Sequence, residues 1–386
     1  MKILHTTESY YPEVSGMAEV VRQLSEELVK LGHDVTVATA KNPQRKNKKT
    51  INGVHIVEFE ISGKSALKIS GDTKKYQEYL INSSFDVITN FAAQQWATDL
   101  VLPILTEIKA KKVFVPTGFS GLYFPLYRDY YKRMKTWMKE YDANIFLSKN
   151  YRDIDFARKN NIQKIKVIPN GASKEEFLTK SKVDIRKKLG IPNDHFLVLT
   201  VGSHTGLKGH SEAIRIFCKA DTKKATFLLV GKKTNSIRGC YARCKLAKAV
   251  SGKNILIKDL SREETVAAFK AADIFLFTSR VECSPIVLFE SLAAKTLFLT
   301  TDVGNAKEII KWSNSGILLP TKIDKGGYSC ALVPESAAIL KKIFTNPRKR
   351  KIMAQRGFMA WRKNFTWENI ALQYEHVYKE ISKSCS

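Results

Sequence analysis

Two carboxylates stand eight positions apart in the run ECSPIVLFE, Glu282 to Glu290, with Ser284-Pro285 between them. Upstream, AADIFLFTSR reads as a strand; downstream, Leu288, Leu292 and Ala293 recur at helical spacing. Serine is a favoured N-cap, and proline suits the first helical position, where a missing N–H costs nothing. The pattern therefore predicts a helix capped by Ser284 and led by Pro285. The amides of Ile286 and Val287 would face outward at the positive helix end, a setting for an anionic group such as phosphate. Glu290 falls five residues beyond Pro285, about 7.5 Å along the axis at ~1.5 Å per residue. A carboxylate there can accept hydrogen bonds from the vicinal hydroxyls of a ribose whose diphosphate rests at the helix start. Glu282, just outside the helix, faces whatever hangs from the far end of that diphosphate. Taken alone, the pair reads equally well as a solvated loop Glu and a surface-helix Glu.

Other segments add chemistry of the same kind. The strand pattern FLVLTVG runs into Ser203-His204-Thr205-Gly206-Leu207-Lys208-Gly209-His210 and then a helix. Gly202, Gly206 and Gly209 permit a tight turn with close backbone approach, and Lys208 can set a point charge against a phosphate. Neither the dinucleotide fingerprint nor the P-loop spacing is present. The plain alternative is a flexible turn with a solvated Lys, in which His204 and His210 are loop and helix-start residues rather than ligands. The first strand–helix connection, Glu8 to Gly16, places a glycine at a helix start, where a phosphate or sugar can approach closely; a simple Gly N-cap is the competing reading. Val303-Gly304-Asn305 begins another helix, and Gly118, Ser120 and Gly121 form a further loop. The segment 122–140 interleaves aromatics with Arg128, Lys132, Arg133, Lys135 and Lys139. It reads as an amphipathic helix packing its aromatics on a sheet, or as an interfacial helix.

The elements that must hold these residues alternate in kind along the whole chain. Strand-length apolar bursts and amphipathic stretches take turns, the pattern of α/β folds with parallel sheets. The first half offers KILHTT, DVTVATA, VHIVEF, DVIT, KVFVP, ANIFLS and IKVIP; the second offers FLVLTVG, TFLLVG, NILIK, DIFLFTS, TLFLTT and GILLP. The first helix is expected over Met17–Leu31, closed by Gly32. Pro169-Asn170-Gly171 is the best hinge. Helical patterns fill about Pro334 to Ser382, and Trp367, Ile370, Tyr374 and Val377 share one face, so the tail is expected to dock. In such sheets ligands bind at the carboxyl ends of strands.

Composition narrows the class. A chain of 386 residues with 44% hydrophobic and 26% charged side chains is an ordinary globular protein of about two domains. No apolar run approaches the ~18–20 residues of a membrane span, and the N-terminus lacks a secretory pattern. Six cysteines (218, 240, 244, 283, 330 and 385) show no disulfide rhythm, so a reducing cytoplasm is the expected setting. Cys240 and Cys244 have CxxxC spacing but no second Cys or His pair nearby in sequence, and are expected to be helix-face residues rather than zinc ligands. The net charge of +27 suits nucleic acid, anionic lipid or anionic small molecules alike. It is spread thinly: residues 1–170 carry 26 basic and 18 acidic side chains, the remainder 38 and 19.

Together these motifs resemble the retaining nucleotide-sugar glycosyltransferases of the GT-B fold, specifically glycosyltransferase family 4. The resemblance runs from SGMAEVVRQLSEELVKLGHDVTV through LSKNYRDIDFARKNNIQKIKVIPNGAS, LTVGSHTGLKGHSEAI, ECSPIVLFESLAA and TTDVGNAKEII to FTWENIALQYEHVY. It implies an α/β protein of two Rossmann-like parallel-sheet domains facing across a cleft. Residues 1–168 would form the acceptor-side domain and 172–364 the donor domain, with a last helix at about 366–386 crossing back onto the first. By position, Glu290 would bind ribose hydroxyls, and Ser284, Pro285, Ile286 and Val287 would meet the diphosphate. Lys208 would neutralise it, Glu282 would hold the transferring sugar, and Gly16 would line the phosphate pocket. Asp259-Leu260 falls where the family contacts the base.

Two departures stand out. Ser203 occupies the place of a common Arg, and Pro116-Thr117-Gly118-Phe119-Ser120 replaces a segment that often holds a His. The implied activity is transfer of a hexose-type unit from a nucleoside-diphosphate-sugar to an acceptor hydroxyl, with retention, in cell-surface polysaccharide or glycolipid synthesis. That nucleotide-sugar is the co-substrate; no separate cofactor and no metal are expected. The acceptor would be a carbohydrate or lipid-linked, and the basic surface would touch anionic membrane from the cytoplasmic side. A same-fold nucleotide-sugar epimerase, or a non-catalytic nucleic-acid-binding protein, are the alternatives, and the resemblance argues against nucleic acid as the partner.

Overall fold

A computed structural model describes residues 1–13, 15–46, 48–64, 68–232 and 239–383. Val14 of the first strand–helix connection, Asn47 and Cys385 lie outside the described residues. The chain divides into two compact units: Met1–Asn170 with Trp367–Ser386, and Gly171–Thr366.

The first unit is built on an eight-stranded sheet whose strands run, edge to edge, Ile165–Val167, Ala143–Phe146, Lys111–Val115, Val87–Phe91, Lys2–Thr6, Asp34–Ala40, Val54–Phe59 and Thr50–Ile51. All pairings are parallel except the last, an antiparallel edge. The alternating pattern shows these strands because the central ones are buried on both faces, as parallel sheets require. The helix Gly16–Lys30 turns Val20, Val21, Leu24 and Leu28 inward. It starts one residue before the expected Met17 because Ser15, not Gly16, is its cap: the Ser15 hydroxyl accepts from the Ala18 amide at 3.1 Å. Beyond its cap Leu31 the chain is turned by Gly32, whose φ of +87° only glycine adopts without strain, with His33 N–H donating to Leu28 C=O at 3.1 Å.

The terminal helix Trp367–Lys383 belongs to this unit and buries Trp367, Ile370, Tyr374, Val377 and Tyr378. Its anchor is polar: the Tyr378 hydroxyl lies 2.7 Å from Thr89 Oγ1 and 3.2 Å from His5 Nε2, while His5 Nδ1 lies 2.8 Å from Ser25 Oγ. In the helix Arg128–Glu140, Tyr131, Met134 and Met138 face the core, and its five basic residues are exposed. Just before it Tyr123, Phe124 and Leu126 are also exposed.

The second unit carries six parallel strands in the order Ile255–Lys258, Ala225–Val230, Phe196–Val201, Ile274–Phe277, Leu297–Thr300 and Ile317–Leu318. The order reverses between Phe196–Val201 and Ile274–Phe277, the doubly wound arrangement in which ligands sit beyond the carboxyl ends at the reversal. Two antiparallel hairpins, Ile61–Lys64 with Lys68–Gly71 and Thr321–Ile323 with Ser329–Ala331, were not legible in sequence. Both are short, and the first is polar and largely exposed, so no apolar alternation marks them.

Burial of His5 disfavours its charged form and lowers its pKa from 6.5 to about 3. The unfolded chain then takes up the proton first, so stability is full above pH 6.5 and is lost as the pH falls toward 3. This one residue contributes up to about 1.4 kcal/mol per pH unit in that window. We expect His5→Gln to flatten the acid limb of a urea-midpoint-against-pH profile by that slope; an unchanged limb would remove His5 from the account.

Candidate active site

Where the second sheet reverses, two loops leave adjacent strand ends and are clasped together. Gly202–Gly209 follows Val201, and Thr278–Pro285 follows Phe277. The Arg280 amide donates to Leu207 C=O at 2.8 Å, and the Thr278 hydroxyl donates to Gly209 C=O at 2.7 Å. Gly209 has φ +64°, and a Cβ there would stand 1.8 Å from the Thr278 carbonyl oxygen. Backbone meets backbone at that point, so the close approach excludes every other residue.

The clasp brings Lys208 to Glu282. Lys208 Nζ donates to Glu282 Oε1 at 2.5 Å, and Ser279 Oγ donates to the same oxygen at 2.6 Å. Both contacts fall on Oε1. Neither side chain is sealed off, with Lys208 27% and Glu282 14% exposed. An ammonium has three donors, so Lys208 can keep Glu282 and still serve an incoming anion.

The helix after Glu282 spans Ile286–Ala293. This corrects the expected start by one residue: Pro285 (φ −70°, ψ 113°) is the cap, and Ser284 does not cap the helix. Its hydroxyl is instead taken by Asn305 Nδ2 at 3.0 Å, while the Asn305 amide donates to Cys283 C=O at 2.9 Å. Gly304 (φ +51°) makes this fit, since a Cβ would lie 2.2 Å from that same carbonyl. Ile286 and Val287 are half-buried, and the first amides of any helix lack an intrahelical acceptor.

Glu290 lies deeper than its spacing suggested. It is 3% exposed and is held by Arg262 Nη1 at 2.5 Å, while Arg262 Nη2 reaches Glu176 at 2.5 Å. Its carboxylate is thus fixed in place by a guanidinium that sequence reasoning passed over, although Arg262 follows Asp259-Leu260 by only two positions. Asp259 is exposed and Leu260 half-buried, just past the strand Ile255–Lys258. Ser203 is exposed on the glycine loop.

Gly16 sits in the first unit as the first residue of its helix, exposed, with nothing within 4 Å of where a Cβ would be. In the same unit the loop at Gly118 is tied down by Asp153, whose Oδ2 accepts the Gly118 amide at 2.8 Å. Burial pushes the Asp153 carboxyl up to about 6. Nothing in its sequence context marked it. A concavity of about 620 Å³ bordered by Ile81–Asp86 and Lys109–Lys111 opens at the amino ends of the first unit's strands and carries none of these residues.

The cysteine expectation needs correcting. Cys240 and Cys244 do have a histidine pair beside them: His204, His210, Cys240 and Cys244 are all buried, and their donor atoms lie within 4.8 Å of one another. The histidines are 30 or more residues upstream, but Phe196–Val201 and Ala225–Val230 are neighbouring strands. Their carboxyl-end loops therefore meet.

Solved structures share this fold. Sucrose-phosphate synthase of Thermosynechococcus elongatus matches with a TM-score of 0.80 over 99% of both chains at 17% identity. The Anabaena protein HepE, solved in complex with UDP and glucose, matches at 0.76 over 98% of this chain and 100% of its own, at 16% identity. These likenesses define an α/β protein of the GT-B fold. Two family models match in tandem, Glycosyltransferase Family 4 over residues 14–176 and Glycosyl transferases group 1 over 181–357. An uncharacterized glycosyltransferase of Methanocaldococcus jannaschii is 27% identical over 98% of each chain. The chain belongs to the group 1, family 4 glycosyltransferases. Among the described residues no helix is long and apolar enough to cross a membrane.

The clasp makes a direct prediction. Gly190 shares the φ of Gly209, +64°, but has open space around it. Gly190→Ala should cost only about 1 kcal/mol of left-handed strain, whereas Gly209→Ala should cost at least about 3 kcal/mol, because a carbonyl must also move. Urea denaturation of both variants checks this, and equal losses would mean the two loops are not in contact.

Proposed function

We propose that the second unit binds a nucleoside-diphosphate-sugar and that the enzyme transfers its hexosyl unit to an acceptor hydroxyl with retention of anomeric configuration. The observation that carries this reading is the Lys208–Glu282 pair at the sheet's reversal point, beside the start of the Ile286–Ala293 helix. A diphosphate resting on the amides of Ile286 and Val287, near Ser284 and Pro285, meets the positive helix end and the Lys208 ammonium together. Charge that builds on the leaving diphosphate is then met by donors already in place. Ser203, on the same loop, adds a hydroxyl where relatives often carry a cation, so the neutralising role rests on Lys208.

Glu282 presents Oε2 to a hydroxyl of the transferring sugar, its other oxygen fixed by Lys208 and Ser279. Glu290 receives the ribose hydroxyls, its orientation set by Arg262. Asp259 and Leu260 border the base. In the first unit, the open helix start at Gly16 admits a phosphate. HepE was solved with UDP and glucose, which supports a uridine nucleotide as the first donor to try. The co-substrate supplies the activated sugar; no cofactor and no metal enter the transfer step as we propose it.

The exposed Tyr123, Phe124 and Leu126, followed by a helix with five exposed basic side chains, support a surface that adsorbs to anionic membrane, where a lipid-linked acceptor would lie. We expect sedimentation with phosphatidylserine vesicles but not with neutral ones, reversed by added salt. Equal recovery with both would remove the membrane reading.

The transfer reading is tested with a thermal-shift panel of UDP, GDP, ADP and CDP, followed by their sugars. One diphosphate should raise Tm, because a ligand that binds only the native state stabilises it. Glu290→Gln should weaken that nucleotide by about 10-fold or more, the loss of a charged hydrogen bond. Glu282→Ala should lower kcat by roughly 100-fold with little change in nucleotide affinity. The product's anomeric configuration, read by NMR, should match the donor's. A flat nucleotide panel, or isomerisation of donor without acceptor, would overturn the assignment.

A further inference from the structure

We propose that His204, His210, Cys240 and Cys244 bind one zinc ion that fastens the glycine loop of the second unit to the helix Cys240–Ser251. The site takes no direct part in the transfer step, and its donor set is that of a metal centre. Two imidazoles and two thiols, each less than a tenth exposed, converge with donor atoms no more than 4.8 Å apart. Around a tetrahedral zinc, with Zn–N of about 2.1 Å and Zn–S of about 2.3 Å, neighbouring donors stand roughly 3.4–3.8 Å apart. Small side-chain rotations close the difference.

Sequence and fold pre-arrange the four. Cys240 and Cys244 are one turn apart at the start of a helix and share a face. His204 and His210 flank a loop folded back by Gly206 (φ +85°) and Gly209 (φ +64°), and their rings meet edge to face at 4.8 Å. Gly231 leaves room for His204: a Cβ there would press on its ring at 3.3 Å.

The unpartnered atoms point to an ion. His204 Nδ1 and Nε2 and His210 Nε2 are buried without a hydrogen-bond partner, and the remaining imidazole nitrogen, His210 Nδ1, has only the Cys240 sulfur at 3.5 Å. An unsatisfied buried polar group costs about 1–3 kcal/mol, so each of these two rings demands a partner for at least one nitrogen. A packed apolar cluster of four such side chains offers none. A metal supplies it by taking one nitrogen from each ring and both sulfurs as thiolates. Two sulfurs and two nitrogens in tetrahedral array select zinc over magnesium or calcium, which prefer oxygen. With all four positions filled by protein, the ion is structural and closed to substrate.

Its effect on chemistry is indirect. Lys208 lies between His204 and His210 in the chain, so the metal would hold one flank of the loop while Thr278 and Glu282 hold the other. His204 and His210 are therefore positioning residues for Lys208.

The test uses the whole chain purified without a histidine tag and under reducing conditions. Elemental analysis should give one zinc per chain, and Cys240→Ser/Cys244→Ser should fall to background. Replacement by cobalt should give a thiolate-to-metal charge-transfer band that the double variant lacks. Chelation should lower Tm by several degrees, restored by zinc but not by magnesium. If the double variant fails to fold, stoichiometry and the cobalt spectrum of the unaltered chain still decide. Metal-free protein that takes up no zinc or cobalt, or a Cys240–Cys244 disulfide that persists in reductant, would overturn the site. Nucleotide binding in the thermal-shift panel is scored separately, so each proposal can fail without the other.

Discussion

The approach of Gly209 to the Thr278 carbonyl is the constraint on which the candidate active site depends. A parallel sheet that reverses its strand order leaves a gap between the loops on either side of the reversal. Here that gap is bridged by backbone, through the Leu207 and Gly209 carbonyls. A side chain at 209 would wedge the loops apart, and Lys208 would no longer reach Glu282. The ion pair is thus a consequence of a steric permission. Its own electrostatic contribution is modest because both partners remain partly in solvent.

The same loop is restrained from its other flank, where His204 and His210 turn back onto Cys240 and Cys244. Two independent sets of contacts therefore hold eight residues that have no regular structure. Gly304 repeats the device on a third loop: it packs against Cys283, so Asn305 can hold Ser284. Rigid loops on a buried sheet suit a site that must meet developing charge without reorganising. The apolar strands beneath, Phe196–Val201 and Ile274–Phe277, supply that rigidity because both faces are covered.

The sequence carried a good deal of this. All thirteen apolar bursts became strands, because the central ones are buried on both faces and such burial writes itself as an apolar run. Lys208, Glu282 and Glu290 were singled out by charge type near glycine or proline, and the first two were brought together. The misses share a cause. Ser284 was read as a cap because capping is a local preference, but Asn305, 21 positions away, claims its hydroxyl. Arg262, which pairs with Glu290, was passed over because it lies 28 positions upstream and no local pattern links the two. Asp153 and Ser279 act through backbone and side-chain partners that leave no periodic trace.

What the chain determines by itself is the order of its elements and the places where glycine and proline permit a turn, since these follow from local sterics and from the period of apolar residues. Which strands lie side by side is settled only by the tertiary structure, and with it which loops meet. His204 and Cys240 are 36 residues apart in sequence and share one buried cluster because their strands are neighbours in a sheet. Pairing of that sort arises from long-range closure of the fold, and no spacing rule along the chain encodes it.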